Sequence, residues 1–513
     1  MLYILLVVVL SFLFFGSVDF EFSLDIDFLT GFFYSDYFLT GGLWVSREVL
    51  FLLFMLISCL LLCQLYADWY FGECLDLSLL RFLLFSFVFV VFCLFISSGV
   101  LLSLIFWEYL GAVSFFLILF YGNGYCLGSG LVTLIFSRLG DLAFFVIFGF
   151  ILNLDGYFLG LIFLFGLVSG SKSAVFPLVS WLLEAMRAPT PVSALVHSST
   201  LVAGGYWFLL QYGWLIFGSE ASFYFSCFCL FSILVCSLGS FLLNDLKKIV
   251  ALSTSINLCW CFVFLLNGDV MLSVFQLVCH GLSKCFLFCL VGDSIRCNLG
   301  GQDYIGIYSW FGGGAYLFYY VWNLLGLSGF FFVGSFFGKH SVLSIFDYSV
   351  VNLLFYLLVY FCFFFSVLYH LRSISLYLGV WGHSCSSYYP FADYFLLVFA
   401  YFFFLFSYGE FYLLEGFIEL TDYVNVVVSL FFLVGFFIFF CFGYDIGVGF
   451  LGLSQFNYFV FDGWYSLFVY FYNFMKYCLD FCSFCFDRYL LSALYGFVFC
   501  FWFFGAFGLI LFV

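Results

Sequence analysis

The chain is poor in charge and almost without proline. Charged residues make up 8% of its 513 positions, against roughly a quarter in a soluble domain, which excludes a soluble globular protein. Only 13 residues are Lys or Arg and none of them form a basic patch, which excludes a nucleic-acid-binding surface. No basic segment precedes the apolar run 2–16 and no small-residue cleavage site follows it, so the run reads as a first helix and not as a signal peptide. Neither a GxGxxG in a strand–helix setting nor a P-loop occurs. The one CxxC, Cys482-Ser-Phe-Cys485, lacks the second pair that a zinc site needs. Most of the 21 cysteines lie within apolar runs, as Cys59/Cys63, Cys227/Cys229 and Cys259/Cys261 do, where a free thiol behaves as a small hydrophobe. No disulfide framework, metal site or cofactor site is expected. The five histidines are too scattered for a two-haem bundle, although His370 and His383 have a spacing that a haem-bearing helix could use.

What is present is hydrocarbon. Hydrophobic residues make up 67% of the chain, and Phe alone supplies 89. Continuous apolar runs at 2–16, 49–66, 82–106, 222–243, 351–369, 426–443 and 490–513 approach or exceed the ~20 residues that cross a bilayer as a helix. Backbone in lipid must satisfy its own hydrogen bonds, and these runs do not alternate as barrel strands do, so they read as helices. With the less clean segments included, the expectation is an all-α polytopic membrane protein of about 14–16 transmembrane helices, at ~20 residues per span. The formal net charge of −15 owes much to Asp19, Glu21, Asp25, Asp27 and Asp36 in the first polar loop, which reads as solvated. Segment 456–489 mixes aromatics with Asp462, Lys476, Asp480, Asp487 and Arg488 and reads as an amphipathic helix lying along the membrane.

Most of the basic residues fall at helix ends or in loops. Glu108, Lys172, Lys284 and Lys339 are each flanked on both sides by apolar sequence. A charge at the centre of a spanning helix costs about 2.5–3.5 kcal/mol on insertion scales. Such residues usually face a bundle interior and mark ion or proton paths; a structural ion pair between helices is the alternative. His280 and Lys284 are four apart and so share a helix face, and His197 follows the proline segment. A Glu, several Lys and two His in hydrocarbon could form a proton relay.

Three of the four prolines, Pro177, Pro189 and Pro191, fall in the stretch GSKSAVFPLVSWLLEAMRAPTPVSALVHSST, residues 170–200. The wider segment 166–191 is a hydrophobic stretch interrupted by Gly, Ser and Pro with Lys172 inside it, and 326–340 echoes it with Lys339 near its end. Paired interruptions of this kind point to broken helices meeting at a midplane site.

The stretch from Ala188 to His197 resembles GPTPVSALIHAATM, a signature of the antiporter-like subunits of respiratory NADH:ubiquinone oxidoreductase (complex I), of the distal, chain 5 type. Other segments follow in family order. FWEYLG with Glu108 looks like GWEGVG, and SRLGDLAFF with Arg138 and Asp141 looks like TRVGDxxxA. NDLKKIVALSTSINL looks like DIKKxLAYSTxSQLG, FQLVCHGLSKCFLF like HLxxHAFFKALLF, and GLSGFFFVGSFFGKHSVL like LxGFFSKDxIL. The resemblance covers about 68–345 well. It implies two inverted five-helix repeats with broken helices, a short lateral helix and a final transmembrane helix. The divisions expected are 1–67, N-terminal helices with the acidic loop; 68–215 and 216–345, the two half-channel repeats; 346–455, further transmembrane helices; 456–489, the lateral helix; and 490–513, a terminal anchor. The resemblance also implies proton pumping driven by quinone reduction elsewhere.

By position, Glu108 and Lys172 would form the ion pair of the first half-channel and His197 the link. Lys284 would be the central relay lysine, with His280 beside it, and Lys339 the exit lysine. Arg138 and Asp141 would lie near a neighbouring subunit. Two departures stand out: Gln276 replaces the first His of HxxxH, and His340 replaces the Asp of SKD. At 1.5 Å per residue a helix over 456–488 spans at most about 50 Å, shorter than the family's lateral helix. NADH, FMN, Fe–S clusters and ubiquinone would sit on other subunits. The implied partners are the other membrane subunits, especially one like chain 4, together with lipid. The implied location is the mitochondrial inner membrane, ahead of a bacterial one. Two rival readings are a stand-alone multisubunit Na+/H+ antiporter subunit and a structural subunit that has lost transport.

Overall fold

The structure is a computed structural model. It describes residues 22–26, 41–72, 76–153, 158–213, 216, 220–243, 245–297, 302, 313–329, 335, 338–339 and 353–378. The chain begins there with a short antiparallel hairpin, β1 (Phe22–Ile26) and β2 (Gly41–Val45), with Phe22 opposite Val45 and Ile26 opposite Gly41. It lies where the sequence reads as a polar loop, and it is the one departure from all-α structure among the described residues.

The helices follow in order: α1 (Arg47–Phe71), α2 (Leu77–Ile96), α3 (Val100–Ile118), α4 (Gly124–Asn153), α5 (Phe158–Ser173), α6 (Ser180–Ala185), α7 (Thr190–Leu195), α8 (Leu201–Tyr212), α9 (Glu220–Leu242), α10 (Leu246–Leu266), α11 (Val270–Cys297), α12 (Gly313–Ser328) and α13 (Leu353–Leu378). Helix α1 shows why the apolar runs start and stop where they do. Ser46 caps its first turn, its hydroxyl accepting from the Val49 N–H at 3.5 Å, and Gly72, at φ 64°, ends it. Among the described residues eight helical segments are long and apolar enough to cross a membrane: this is an all-α polytopic membrane protein. The runs at 2–16, 426–443 and 490–513, the lateral segment 456–489 and His340 lie outside the described residues.

Burial sorts the helices. The spans of α10 and α11 are 100% and 94% buried, whereas those of α2, α3 and α4 are 33–39% buried. Helices α10 and α11 therefore form the interior. Phe82, Phe85 and Phe89 on α2, Phe116 on α3 and Phe145 on α4 face outward, as apolar side chains against lipid should.

Both expected helix interruptions are present. Helix α5 stops at Ser173, Ala174 turns at φ 54°, and Pro177, which has no N–H to continue a helix, follows. Pro189 then caps α7 and Pro191 sits in its first turn, where a missing N–H leaves no intrahelical bond unmade. In the second half α12 ends at Gly329, φ 85°. The carbonyls exposed by that ending are not orphaned. Ser335 Oγ donates to Gly326 and Leu327 O, both at 2.9 Å, and the Lys339 ammonium donates to Leu327 O at 2.7 Å. Around the first break the backbones come close: a Cβ at Gly205 on α8 would stand 2.7 Å from Ser169 O on α5, so only glycine permits this approach.

Candidate functional site

The face that α3 turns toward α5 is made by Trp107, Gly111 and Ser114, spaced at i, i+4 and i+7. Lys172, in the last turn of α5, meets that face. Its ammonium is 5.0 Å from the Trp107 ring centroid, and a Cβ on Gly111 would stand 3.6 Å from it. Glu108 is one residue beyond Trp107 and so is turned about 100° away around the helix.

This rotation sets the pairing. The expected Glu108–Lys172 pair is not the one formed: Lys172 Nζ pairs with Asp141 Oδ1 of α4, at 3.9 Å, while Glu108 pairs with Arg138 Nη1. Arg138 also donates to Asp141 Oδ2, at 3.3 Å, and the Trp107 indole N–H donates to Asp141 Oδ1 at 2.8 Å. The result is a ladder, Glu108–Arg138–Asp141–Lys172, running inward. Side-chain exposure along it is 32%, 48%, 6% and 1%, so a surface ion pair connects to a buried one. Arg138 stands at the surface of the chain, where the resemblance puts a neighbouring subunit; Asp141 lies within the chain's own bundle.

Lys172 also borders a small cavity lined by Ser114, Ser137, Ser171, Trp181 and His197. His197 is brought there by a π-helical turn, Val196–Thr200, between α7 and α8, in which Thr200 Oγ1 donates to Leu195 O at 2.8 Å. Such single-turn widenings recur at functional sites. His197 is fully buried, its ring 6.0 Å from Trp181, and neither ring nitrogen has a hydrogen-bond partner among the described residues. Lys172 and His197 thus share one small polar space in an apolar bundle, with unused hydrogen-bonding capacity on both.

A second group lies between α10, α11, α12 and α13. The Lys284 ammonium donates to Ser253 Oγ on α10. His280, one turn earlier on α11, is buried with both ring nitrogens unpartnered among the described residues. Gln276 lies a further turn back, close enough to Gly338 that a Cβ there would stand 2.7 Å from its Oε1. Lys339 is buried against the end of α12. Among the described residues no carboxylate pairs with Lys284 or Lys339. Lys284, Lys339 and His280 lie close enough to repel one another electrostatically when charged. A charge on one therefore disfavours a charge on its neighbours.

Two residues join the picture that sequence reasoning did not assign to it. His370 on α13 belongs to the field of Lys339, Lys284 and His280, with Nδ1 bonded to Ser366 O at 2.6 Å and Nε2 to Tyr369 Oη at 3.0 Å. Its position beside an apolar run was visible; its closeness to Lys284, Lys339 and His280 was not, because they lie on other elements. Trp107 signals nothing in sequence beyond an aromatic, yet it orients Asp141 and stacks against Lys172. Among the described residues no three His, Cys, Asp or Glu side chains gather as a metal-ligand set.

Comparison with known proteins places these groups in a family. The family described as NADH:quinone oxidoreductase/Mrp antiporter, TM, matches residues 97–368, a range that holds Glu108, Arg138, Asp141, Lys172, His197, His280, Lys284 and Lys339. Chain 5 of NADH-ubiquinone oxidoreductase from Caenorhabditis elegans is 38% identical over 245 residues, 46% of each chain. The same chain from Ascaris suum is 37% identical over 261 residues, 50% of this chain and 47% of that one. The matched part thus spans about half the length of these curated relatives. A chain of the archaeal membrane-bound sulfane sulfur reductase, a respiratory membrane complex, has the same fold, with a TM-score of 0.64 over 84% of this chain and 90% of that one at 15% identity. With more than half of its length matched and the buried charges inside the match, the chain belongs to the NADH:quinone oxidoreductase/Mrp antiporter transmembrane family.

Proposed function

We propose that this chain is a proton-translocating membrane-arm subunit of a respiratory NADH:ubiquinone oxidoreductase, with Glu108, Arg138, Asp141, Lys172, His197, His280, Lys284 and Lys339 as its relay. The observation that carries the proposal is the ladder from the half-exposed Glu108–Arg138 pair to the buried Asp141–Lys172 pair, opening on the cavity shared with His197. Unused charges in hydrocarbon are costly, and such residues mark proton paths. The ladder also supplies a switch. While Asp141 faces Lys172, the lysine holds its proton. If Arg138 swings fully onto Asp141, or if Asp141 is neutralised, Lys172 loses its counter-charge and gives the proton up toward His197. The His280–Lys284–Lys339 group, with no acid paired to its lysines among the described residues, takes protons one at a time, and Gln276 orients without titrating.

On this reading residues 68–215 and 216–345 act as two half-channels. The driving force is quinone reduction in other subunits, which hold NADH, FMN, Fe–S clusters and ubiquinone; this chain binds none of them. Its neighbours are the other membrane subunits, a chain 4-like one first, reached across the Arg138 surface. The setting is the mitochondrial inner membrane. The experiment is a native gel of mildly solubilised membranes stained for NADH dehydrogenase activity. Peptides of this chain should be found in the active band. Migration apart from every redox subunit would transfer the relay to a stand-alone antiporter, with sodium-dependent proton exchange as its signature.

A further inference from the structure

Helix α11 carries a buried acid that the relay above does not use. Asp293 lies one turn from the end of α11 and is 7% exposed. Its neighbours come from other elements at the same end of the bundle: Tyr66 near the end of α1, and Thr190, the first residue of α7. The Tyr66 hydroxyl lies near both the Asp293 carboxyl and the Thr190 side chain. Gly292 makes room for this. A Cβ there would collide with Tyr66 Oη and stand 3.0 Å from Thr190 Cβ and Oγ1. Asp293 Oδ1 has no hydrogen-bond partner among the described residues.

The cluster has an outside and an inside. Three residues beyond Asp293, Arg296 is exposed, its guanidinium 4.4 Å over the Trp69 ring and bonded to Trp69 O at 2.6 Å. Asp293 therefore lies one helical turn beneath a surface arginine. Inward, Thr190, Ser193 and His197 recur at three and four residues and so share one face of the run formed by α7 and its π turn. From Thr190 to His197 is about 10 Å along that axis at 1.5 Å per residue. Helix α7 packs on both α1 and α11, so this face starts at the cluster and ends at the Lys172 cavity.

We propose that Asp293, with Tyr66 and Thr190, is a proton-exchange site near one membrane surface, feeding a path along α7 to His197 and so to Lys172. The carboxylate takes a proton from water at the Arg296 end. Tyr and Thr hydroxyls each donate and accept, so each releases its own proton as it receives the next. Ser193 and bound water carry the proton over the roughly 10 Å from Thr190, and it reaches a His197 ring nitrogen with no heavy-atom bond changed. The assignment rests on the proton-translocating reading.

The test is the number of protons translocated per NADH oxidised, in membranes carrying the whole complex with the Asp293→Asn, Asp293→Glu, Tyr66→Phe and Lys172→Met variants. Asp293→Asn should lose translocation while NADH oxidation persists, and Asp293→Glu should restore it. Tyr66→Phe should lie between. The proposal is overturned by an Asp293→Asn variant with an unchanged ratio beside a Lys172→Met variant with a lowered one. A parallel fall of oxidation and translocation, ratio intact, overturns it too, because that marks a structural role. An unchanged ratio in Lys172→Met overturns the translocation reading itself. Should Asp293→Asn not assemble on a native gel, Tyr66→Phe decides in its place: a lowered ratio supports the path and an unchanged one overturns it.

Discussion

Asp141 is the residue on which the first half of the relay turns. It receives Trp107, Arg138 and Lys172 at once, whereas Glu108 has its ion pair with Arg138. Asp141→Asn should therefore reduce protons translocated per NADH more than Glu108→Gln does; the reverse ranking would restore Glu108 as the direct partner of Lys172. In the second half, Ser253→Ala removes the hydroxyl that accepts from the Lys284 ammonium. Leaving a buried polar group short of a bond costs roughly 1–3 kcal/mol, and a charged one more. The variant should lower both the thermal inactivation temperature of the complex and its translocation ratio, yet keep more activity than Lys284→Met. Equal loss in the two would assign Ser253 a role beyond solvating the lysine. Charges set in apolar sequence were legible: Lys172, Lys284 and Lys339 are buried, and Glu108 is two-thirds covered. Their pairing was not. It depends on a rotation of about 100° between Trp107 and Glu108 and on which helix faces which, and neither is written in a local pattern.

At the scale of the element, glycine and proline were informative because they act through the backbone. The stretch containing Pro177, Pro189 and Pro191 runs from the end of α5 through the short α6 into the first turn of α7, and the Gly-rich echo at 326–340 contains the end of α12 at Gly329. The π turn that turns His197 inward carries no such signature; it arises where the run from α7 meets α8 against neighbouring helices. Packing at the first break gives a prediction. Gly205→Val places branched carbon against Ser169 O and Ser173, and overpacking of this kind typically costs about 1–3 kcal/mol or more. Less assembled complex should be recovered on a native gel, with the ratio of translocation to oxidation normal in what remains. Normal recovery would show that α5 and α8 separate easily.

At the scale of the molecule, burial and charge follow one plan across the described residues. Helices α10 and α11 are enclosed, α2–α4 face outward, and the ionisable groups run from the half-exposed Arg138 inward to Lys172 and His197, then to Lys284, His280, Lys339 and His370. The broad class followed from composition alone, since 67% hydrophobic and 8% charged admits little besides a helical membrane protein. The hairpin β1–β2 escaped notice because its strands are short and lie among acidic and glycine residues. The central claim is that the buried charges carry protons. Its most direct measurement is proton translocation per NADH oxidised in membranes containing the complex with Lys172→Met, a near-isosteric change that keeps the side chain against Trp107 and removes its charge. The account predicts a clear fall in the ratio with the complex assembled. An assembled complex with an unaltered ratio would contradict it.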